Sequence, residues 1–409
     1  MSESESHVEV NSLKLGSVDS SRTRPETMNE WFNYYDGVQQ GDMYPNEPVS
    51  FTEHHLNDLL WFCALQNVSD VKILTGHPVI VKASGKNYAI TEKSLNNDEV
   101  RKLINQFYGG SNAQAKLGSG QPIDIPYQVR PDRFLRFRFR VSITSQRYRG
   151  GDGYRITARL LPPLPSLPEE LGIEQEIIDN FTPRTGAVIV TGATGSGKST
   201  LLASMIRRLL EEKDGHHDIL TFESPVEFDY HDVNRDPSNI ISQCEIPVDL
   251  QNFSESIRNA LRNSPDYVLI GEARDDETMA GVVKAAVTGH GVMTTLHTNG
   301  AVSTIKRMVL DASKSKSFTV SNVIDALRLV VSQILLPNPN GGRTAIREWI
   351  VFSKEDRERL IDTPVERISN VAEEILASHG TSFAKSAKKA LDRGLIFQHD
   401  YDNLIKEGV

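Results

Sequence analysis

Residues 187–200 read AVIVTGATGSGKST, and within them Gly192, Gly197, Lys198 and Ser199 fit G-x-x-x-x-G-K-[ST]. The chemistry of that spacing is phosphate binding. Glycines let the main chain wrap closely round an anion, and successive N–H groups at a helix start supply partial positive charge. The cradle is therefore expected over Gly192, Ala193, Thr194, Gly195, Ser196, Gly197, Lys198, Ser199 and Thr200. Lys198 is expected to reach the β and γ phosphates of a nucleoside triphosphate, and Ser199 to hold Mg²⁺. No NKxD guanine-reading motif occurs in the chain, which favours ATP over GTP.

Three carboxylates and one imidazole stand where they could act on such a ligand. In SPDYVLIGEARDDET (264–278) an apolar run leads into Gly271 and Glu272. A carboxylate at that strand end can orient an attacking water, which points to hydrolysis and not binding alone. In ILTFESPVEFDYHD (219–232) Glu223 also follows an apolar run, and Glu227 comes four residues later. In MTTLHTNG (293–300) His297 leaves the end of an apolar strand. A single strand-end histidine is by itself more often a structural hydrogen-bonding group than a functional one. Arg258 and Arg262, four apart on one helix face, could serve the same pocket or pair with nearby acids.

The elements that must position these groups follow from periodicity. AVIV, ILTF, YVLI and VMTTL are short apolar runs alternating with helical patterns, the mark of a mostly parallel α/β sheet. After the glycine loop, Leu201, Leu202, Met205, Ile206 and Leu209 form one helix face. Asp275, Asp276 and Glu277 favour a second helix start, and Gly289 its end. Earlier in the chain, 52–67 and 97–109 read as helices, the first capped by Thr52. FLRFRFRVSIT (134–144) alternates strictly: Leu135, Phe137, Phe139 and Val141 point one way, and Arg136, Arg138 and Arg140 the other. LLPPLPSLPEELG (160–172) carries four prolines and reads as a semi-rigid linker. The expected organisation is a flexible arm over 1–48, a first domain over 49–160, the linker over 161–172, a nucleotide-binding core over 173–353 and a helical region over 354–409. The aromatics of EWFNYYDG (30–37) interrupt the polar arm.

Bulk composition narrows the classes. At 409 residues and 38% hydrophobic, the chain can bury a sizeable core. A net charge of −9 disfavours a general nucleic-acid coat, because counterion release needs clustered positive charge. Cys63 and Cys244 stand alone in their stretches, so neither a zinc ribbon nor a disulfide framework is expected. The acidic N-terminus has no secretory h-region, and no run of 18 apolar residues marks a membrane span.

Taken together, the motifs resemble one family, the secretion and pilus-motor ATPases of bacterial type II and type IV systems. VSDVKI and FRFRVS lie in the first domain, and TGATGSGKST resembles the Walker A motif. TFESPVEF resembles the acidic box, LIGEARD the Walker B motif and GHGVMTTLHTN the histidine box; SQILLP and GGRTAIREW follow. The tetracysteine of the extension-type assembly ATPases is absent, and Ser224 stands where many relatives carry Asp. EARD and the SP of the acidic box lean towards the Dot/Icm-like and IncI-type conjugation ATPases, with the pilus retraction ATPases also near.

The resemblance implies a RecA-like P-loop core, an N-terminal PAS-like α+β domain and a C-terminal helical appendage. It implies ATP and Mg²⁺, a homo-hexamer, and Glu272, Glu223 and His297 as catalytic groups, with His297 facing the γ-phosphate. Arg138, Arg140, Arg147 and Arg159 are then candidates to neutralise transition-state charge in a neighbouring subunit, Arg147 and Arg159 being expected on strands adjacent to the first two. The implied work is powering a secretion, conjugation or pilus machine from the cytoplasmic face of the inner membrane, held there by membrane partners and with no direct nucleic-acid contact. The rival readings are a hexameric nucleic-acid helicase on the same fold and a non-catalytic ATP-dependent scaffold.

Overall fold

The computed structural model describes residues 39–407 except 67, 84, 131–135 and 162–163. The expected arm over 1–38 with its aromatic stretch, Leu135, and prolines 162 and 163 lie outside the described residues. The chain divides into two compact units, between Leu164 and Pro165.

Among its described residues, the first unit carries a six-stranded sheet: β1 (Asp70–Leu74), β2 (Ile80–Ala83), β3 (Lys86–Ala89), β4 (Ile123–Val129), β5 (Phe137–Tyr148) and β6 (Gly151–Leu161). The order is β3-β2-β1-β6-β5-β4, with every paired neighbour antiparallel. Helices His55–Leu65 and Asn97–Tyr108 share one core with the sheet, where Leu56, Leu59, Leu60, Leu103 and Ile104 join Val71, Ile73, Phe139, Val141 and Ile156. The alternation of β5 fixes its register. A one-residue slip would expose Phe137, Phe139, Val141 and Ile143, all buried, at roughly 1.5–3 kcal/mol each. No surface ion pair, worth about 0–1 kcal/mol, offsets that.

Two local expectations change. Thr52 does not cap the first helix: the cap position is His54, and the Thr52 hydroxyl lies 2.9 Å from His55 Nδ1. Residues 39–48 do not behave as an arm, since Tyr44 is buried in the first unit's core and its N–H donates to Ile90 O at 2.7 Å. The second helix is capped reciprocally by Asn96 and Glu99.

The second unit holds, among its described residues, a seven-stranded sheet: β7 (Gly186–Thr191), β8 (Asp218–Glu223), β9 (Ile240–Glu245), β10 (Tyr267–Ile270), β11 (Gly291–Leu296), β12 (Leu327–Pro337) and β13 (Arg343–Val351). Its order is β13-β12-β7-β11-β10-β8-β9, parallel except for β13. Strands β7, β10 and β11 are buried at every residue, as parallel strands covered on both faces must be. The glycine loop connects β7 to helix Lys198–Glu211, which packs on β7 and β11. Helices Phe253–Asn263, Asp276–Val287 and Ala301–Lys314 join a core with Ile189, Val268 and Val292.

The C-terminal region is helical, as expected, but it does not hang off the core. Leu360, Ile368, Ala372 and Ile375 belong to the main core, and Phe383, Ala387 and Leu404 pack with Ile346 of β13. The proline-rich stretch also joins the second unit from Pro165 onward: the buried Arg207 donates to Pro165 O at 2.8 Å.

Candidate active site

The carboxyl ends of β7, β8, β10 and β11 lie along one sheet edge, where parallel α/β sheets take their ligands. The glycine loop leaves β7 there. Gly192, Gly195 and Gly197 have φ of +141°, +79° and +87°, a region open to glycine and strained for other residues. Gly192 and Gly197 also lack room for a side chain: a Cβ would stand 2.3 Å from Gln333 O and 2.8 Å from Gln333 Nε2 respectively. Among the described residues no side chain caps helix Lys198–Glu211, which leaves its first N–H groups available. Ala193, Thr194, Gly195 and Ser199 are exposed, Thr200 is half-buried, and Ser196 is buried.

Lys198 is buried, and its ammonium donates to Gly192 O at 2.8 Å and Ala193 O at 3.0 Å. Burial lowers its pKa, while the carboxylates of Glu272 and Glu227 act in the opposite sense. Those two carboxylates therefore share the Lys198 environment.

Glu272 follows β10 and His297 follows β11. The register that sets Ile270 beside Thr294 brings their side chains together. His297 Nε2 lies 2.8 Å from Glu272 Oε1, and Arg274 Nε lies 2.6 Å from Oε2. The Thr295 hydroxyl donates to Gly271 O at 2.6 Å, and Ala273 N–H to Thr295 O at 3.1 Å, which locks the two strand exits to each other. On the other side, the hydroxyl of Thr191, the last residue of β7, donates to Thr298 O at 2.7 Å. Arg307 supports the same turn by donating to His297 O at 3.1 Å.

Glu223 ends β8. Burial pushes its carboxyl up to about 7 against hydrogen bonds from Thr221 at 2.9 Å and Gln243 at 3.5 Å. A carboxyl poised there can exchange a proton near neutrality.

The expected arginines divide. Arg258 is turned to Glu277 at 2.7 Å and to Ser254, pairing two neighbouring helices, and Arg262 is exposed in the last turn of its helix. In the first unit, Arg138 and Arg140 lie half-buried on the sheet face opposite the core, and Arg140 stands beside Arg159 across β5 and β6. Arg159 is mostly exposed and pairs with Asp70 at 3.0 Å. Arg147 departs from expectation: it lies on β5 itself, near the hairpin tip, paired with Asp152 at 3.0 Å. Its position is odd where 138 and 140 are even, and a strand turns alternate residues to opposite faces. It is also about 23 Å along the strand from Arg140 at roughly 3.3 Å per residue. It is therefore not one of that group.

Sequence reasoning missed Arg274 as the second grip on Glu272, and it missed Gln333 and Arg347. Gln333 Nε2 donates to Ser196 O at 2.6 Å, and the buried Arg347 donates through Nε to Gln333 Oε1 at 2.7 Å. Arg274 was visible within EARD, but nothing local in the sequence marks Gln333 as a neighbour of the loop.

Comparison with known proteins bears on the family and the fold. The family model described as "Type II/IV secretion system protein" matches residues 169–399. The type IV pilus retractation ATPase PilT of Pseudomonas aeruginosa is 34% identical over 297 residues, covering 72% of this chain and 82% of that protein. Among solved structures, the Legionella pneumophila ATPase DotB superposes with a TM-score of 0.81 at 37% identity, covering 90% of this chain and 99% of its own. The pilus retraction motor PilT with bound ADP superposes at 0.71 with 28% identity, covering 84% of this chain and 95% of its own. These likenesses bear out the RecA-like core, the preceding α+β domain and the helical C-terminal region.

Proposed function

The chain belongs to the type II/IV secretion system protein family and is a motor ATPase, and on that premise we propose that it works as a hexameric ring powering a type IV secretion, conjugation or pilus machine from the cytoplasmic face of the inner membrane. The observation that carries this reading is the meeting of the Lys198 loop, the Glu272–His297 pair and Glu223 at one edge of one parallel sheet.

The chemistry follows from those positions. The open N–H groups of residues 193–199 receive the phosphates of ATP. Lys198 exchanges its two loop carbonyls for β and γ phosphate oxygens. Ser199, exposed on the first helical turn beside a carboxylate-rich edge, fits the oxygen-donor set that Mg²⁺ takes. Mg²⁺ bound with ATP neutralises phosphate charge. Glu272 orients the attacking water once one of its two cationic partners yields. His297, on the next strand exit, responds to whether a γ-phosphate is present. Glu227 shapes the charge near Lys198, and Glu223 lies beside Glu227 at the end of β8. Arg138, Arg140 and Arg159 of a neighbouring copy stabilise the charge developing in transfer. No described helix is long and apolar enough to cross a membrane, so partners would provide the anchorage.

The test is steady-state ATP hydrolysis by the purified chain, with sedimentation to give its oligomeric state. Nucleotide-dependent hexamers that turn over ATP support the reading. A chain that binds ATP without turnover would instead be a scaffold. Strong stimulation by single-stranded DNA would favour the helicase, against which the net charge of −9 weighs.

A further inference from the structure

Strand β12 passes beside β7 and presses its main chain and Gln333 against the glycine loop. Both Gly192 and Gly197 lack space for a Cβ because of Gln333. The side-chain amide of Gln333 donates to Ser196 O at 2.6 Å and accepts from Arg347 Nε at 2.7 Å on the partner strand β13, where the two residues stand opposite each other. Arg347 is 3% exposed. Its Nη1 donates to Gly172 O at 3.1 Å and to Glu174 Oε2 at 3.0 Å, and its Nη2 donates to Leu171 O at 3.5 Å. An unbroken chain of hydrogen bonds therefore runs from residues 172–174, at the end of the proline-rich stretch, through Arg347 and Gln333 to a carbonyl of the phosphate loop.

We infer that Gln333 and Arg347 are positioning residues that set the nucleotide affinity of the loop according to the placement of residues 172–174. The argument is one of satisfaction and reach. A buried guanidinium must have its donors matched, and Arg347 matches its short bonds by holding Gln333 and residues 172–174 at once, with a longer bond to the adjacent Leu171 O at 3.5 Å. The amide of Gln333 has one orientation that satisfies both neighbours: oxygen to Arg347, nitrogen to Ser196 O. Movement of residues 172–174 pulls Arg347, tilts the amide and changes the carbonyl that shapes the loop beside Lys198. None of these side chains need touch a reacting atom, so the effect falls on binding of the phosphates more than on chemistry.

This inference rests on the ATPase reading above, and the experiment separates the two. Kinetics of ATP hydrolysis and equilibrium binding of a fluorescent ADP are measured on the full chain, on Gln333→Met, on Glu174→Gln and on the double variant. Gln333→Met keeps the bulk and loses both bonds. Its KM and its Kd for ADP should rise about tenfold, the scale of one buried hydrogen bond of about 1.4 kcal/mol, with kcat changed about threefold or less. Glu174→Gln, at the more exposed end of the chain, should raise the same two constants about threefold. The double variant should match Gln333→Met alone, because the chain is already cut. Wild-type ADP affinity in Gln333→Met, or effects that multiply in the double variant, would overturn the inference. If Gln333→Met does not fold, wild-type affinity in Glu174→Gln overturns it equally. A wild-type chain that binds no nucleotide would instead remove the ATPase reading itself.

Discussion

His297 Nε2 stands 2.8 Å from Glu272 Oε1, joining the exits of two adjacent parallel strands across the edge where the phosphate loop opens. Arg274 takes the other carboxylate oxygen, so Glu272 is gripped at both ends. Under the proposed function, the reach of Glu272 towards a water depends on one of those grips loosening, either His297, 41% exposed, or Arg274, 74% exposed.

Glu272→Gln keeps the shape of this arrangement and removes its charge. ATP binding should persist while turnover falls at least about 100-fold, the low end for a catalytic acid–base group. Single-turnover hydrolysis with binding measured in parallel checks it. Normal turnover would remove Glu272 from the chemistry.

Lys198→Ala should abolish nucleotide binding or nearly so if, as proposed, the ammonium is the anchor for the β and γ phosphates. A second effect follows from the geometry. The ammonium also satisfies Gly192 O and Ala193 O, so the nucleotide-free variant should lose about 1 kcal/mol of stability. Equilibrium ATP binding and thermal melting without nucleotide read the two separately. Wild-type ATP affinity would refute the loop assignment.

Glu223 gives a pH dependence with a defined sign. Burial lifts its carboxyl from 4.5 to about 7, so between those values the folded chain holds a proton that the unfolded chain has released. Folding stability from this group therefore falls as pH rises from 4.5 to 7 and stays lowered above it. Glu223→Gln should melt higher than wild type at pH 8 and about equally at pH 4. Parallel melting curves over that range test it, and a constant difference would assign Glu223 an ordinary carboxyl.

Arg140 lies on the face of β5 away from Phe139 and Val141, so Arg140→Ala should fold normally. If it completes a neighbour's site, the variant should lose most of its hydrolysis. Mixing it with Glu272→Gln should restore part, because some junctions then combine an intact loop and Glu272 with an intact arginine. Full activity of Arg140→Ala, or a co-assembled mixture no better than its parents, would leave the arginine strand a solvated sheet face.

Much of this was legible in the sequence wherever the determining interactions are local. The phosphate loop is one contiguous run, and its glycines, lysine and helix start are dictated by backbone sterics and periodicity within a dozen residues. The alternation of β5 was legible for the same reason, apart from Arg147, whose parity puts it on the other face. Glu272, Glu223 and His297 were visible as polar residues ending apolar strands. Their meeting was not, because it depends on β10 lying beside β11 with Ile270 against Thr294. The chain from Glu174 through Arg347 and Gln333 to Ser196 was wholly hidden. Its final bond spans 137 residues of sequence and exists only because a crossover returns β12 to the flank of β7. Local spacing names the groups that can do chemistry; strand order, set by how the whole sheet buries its apolar faces, decides which of them touch.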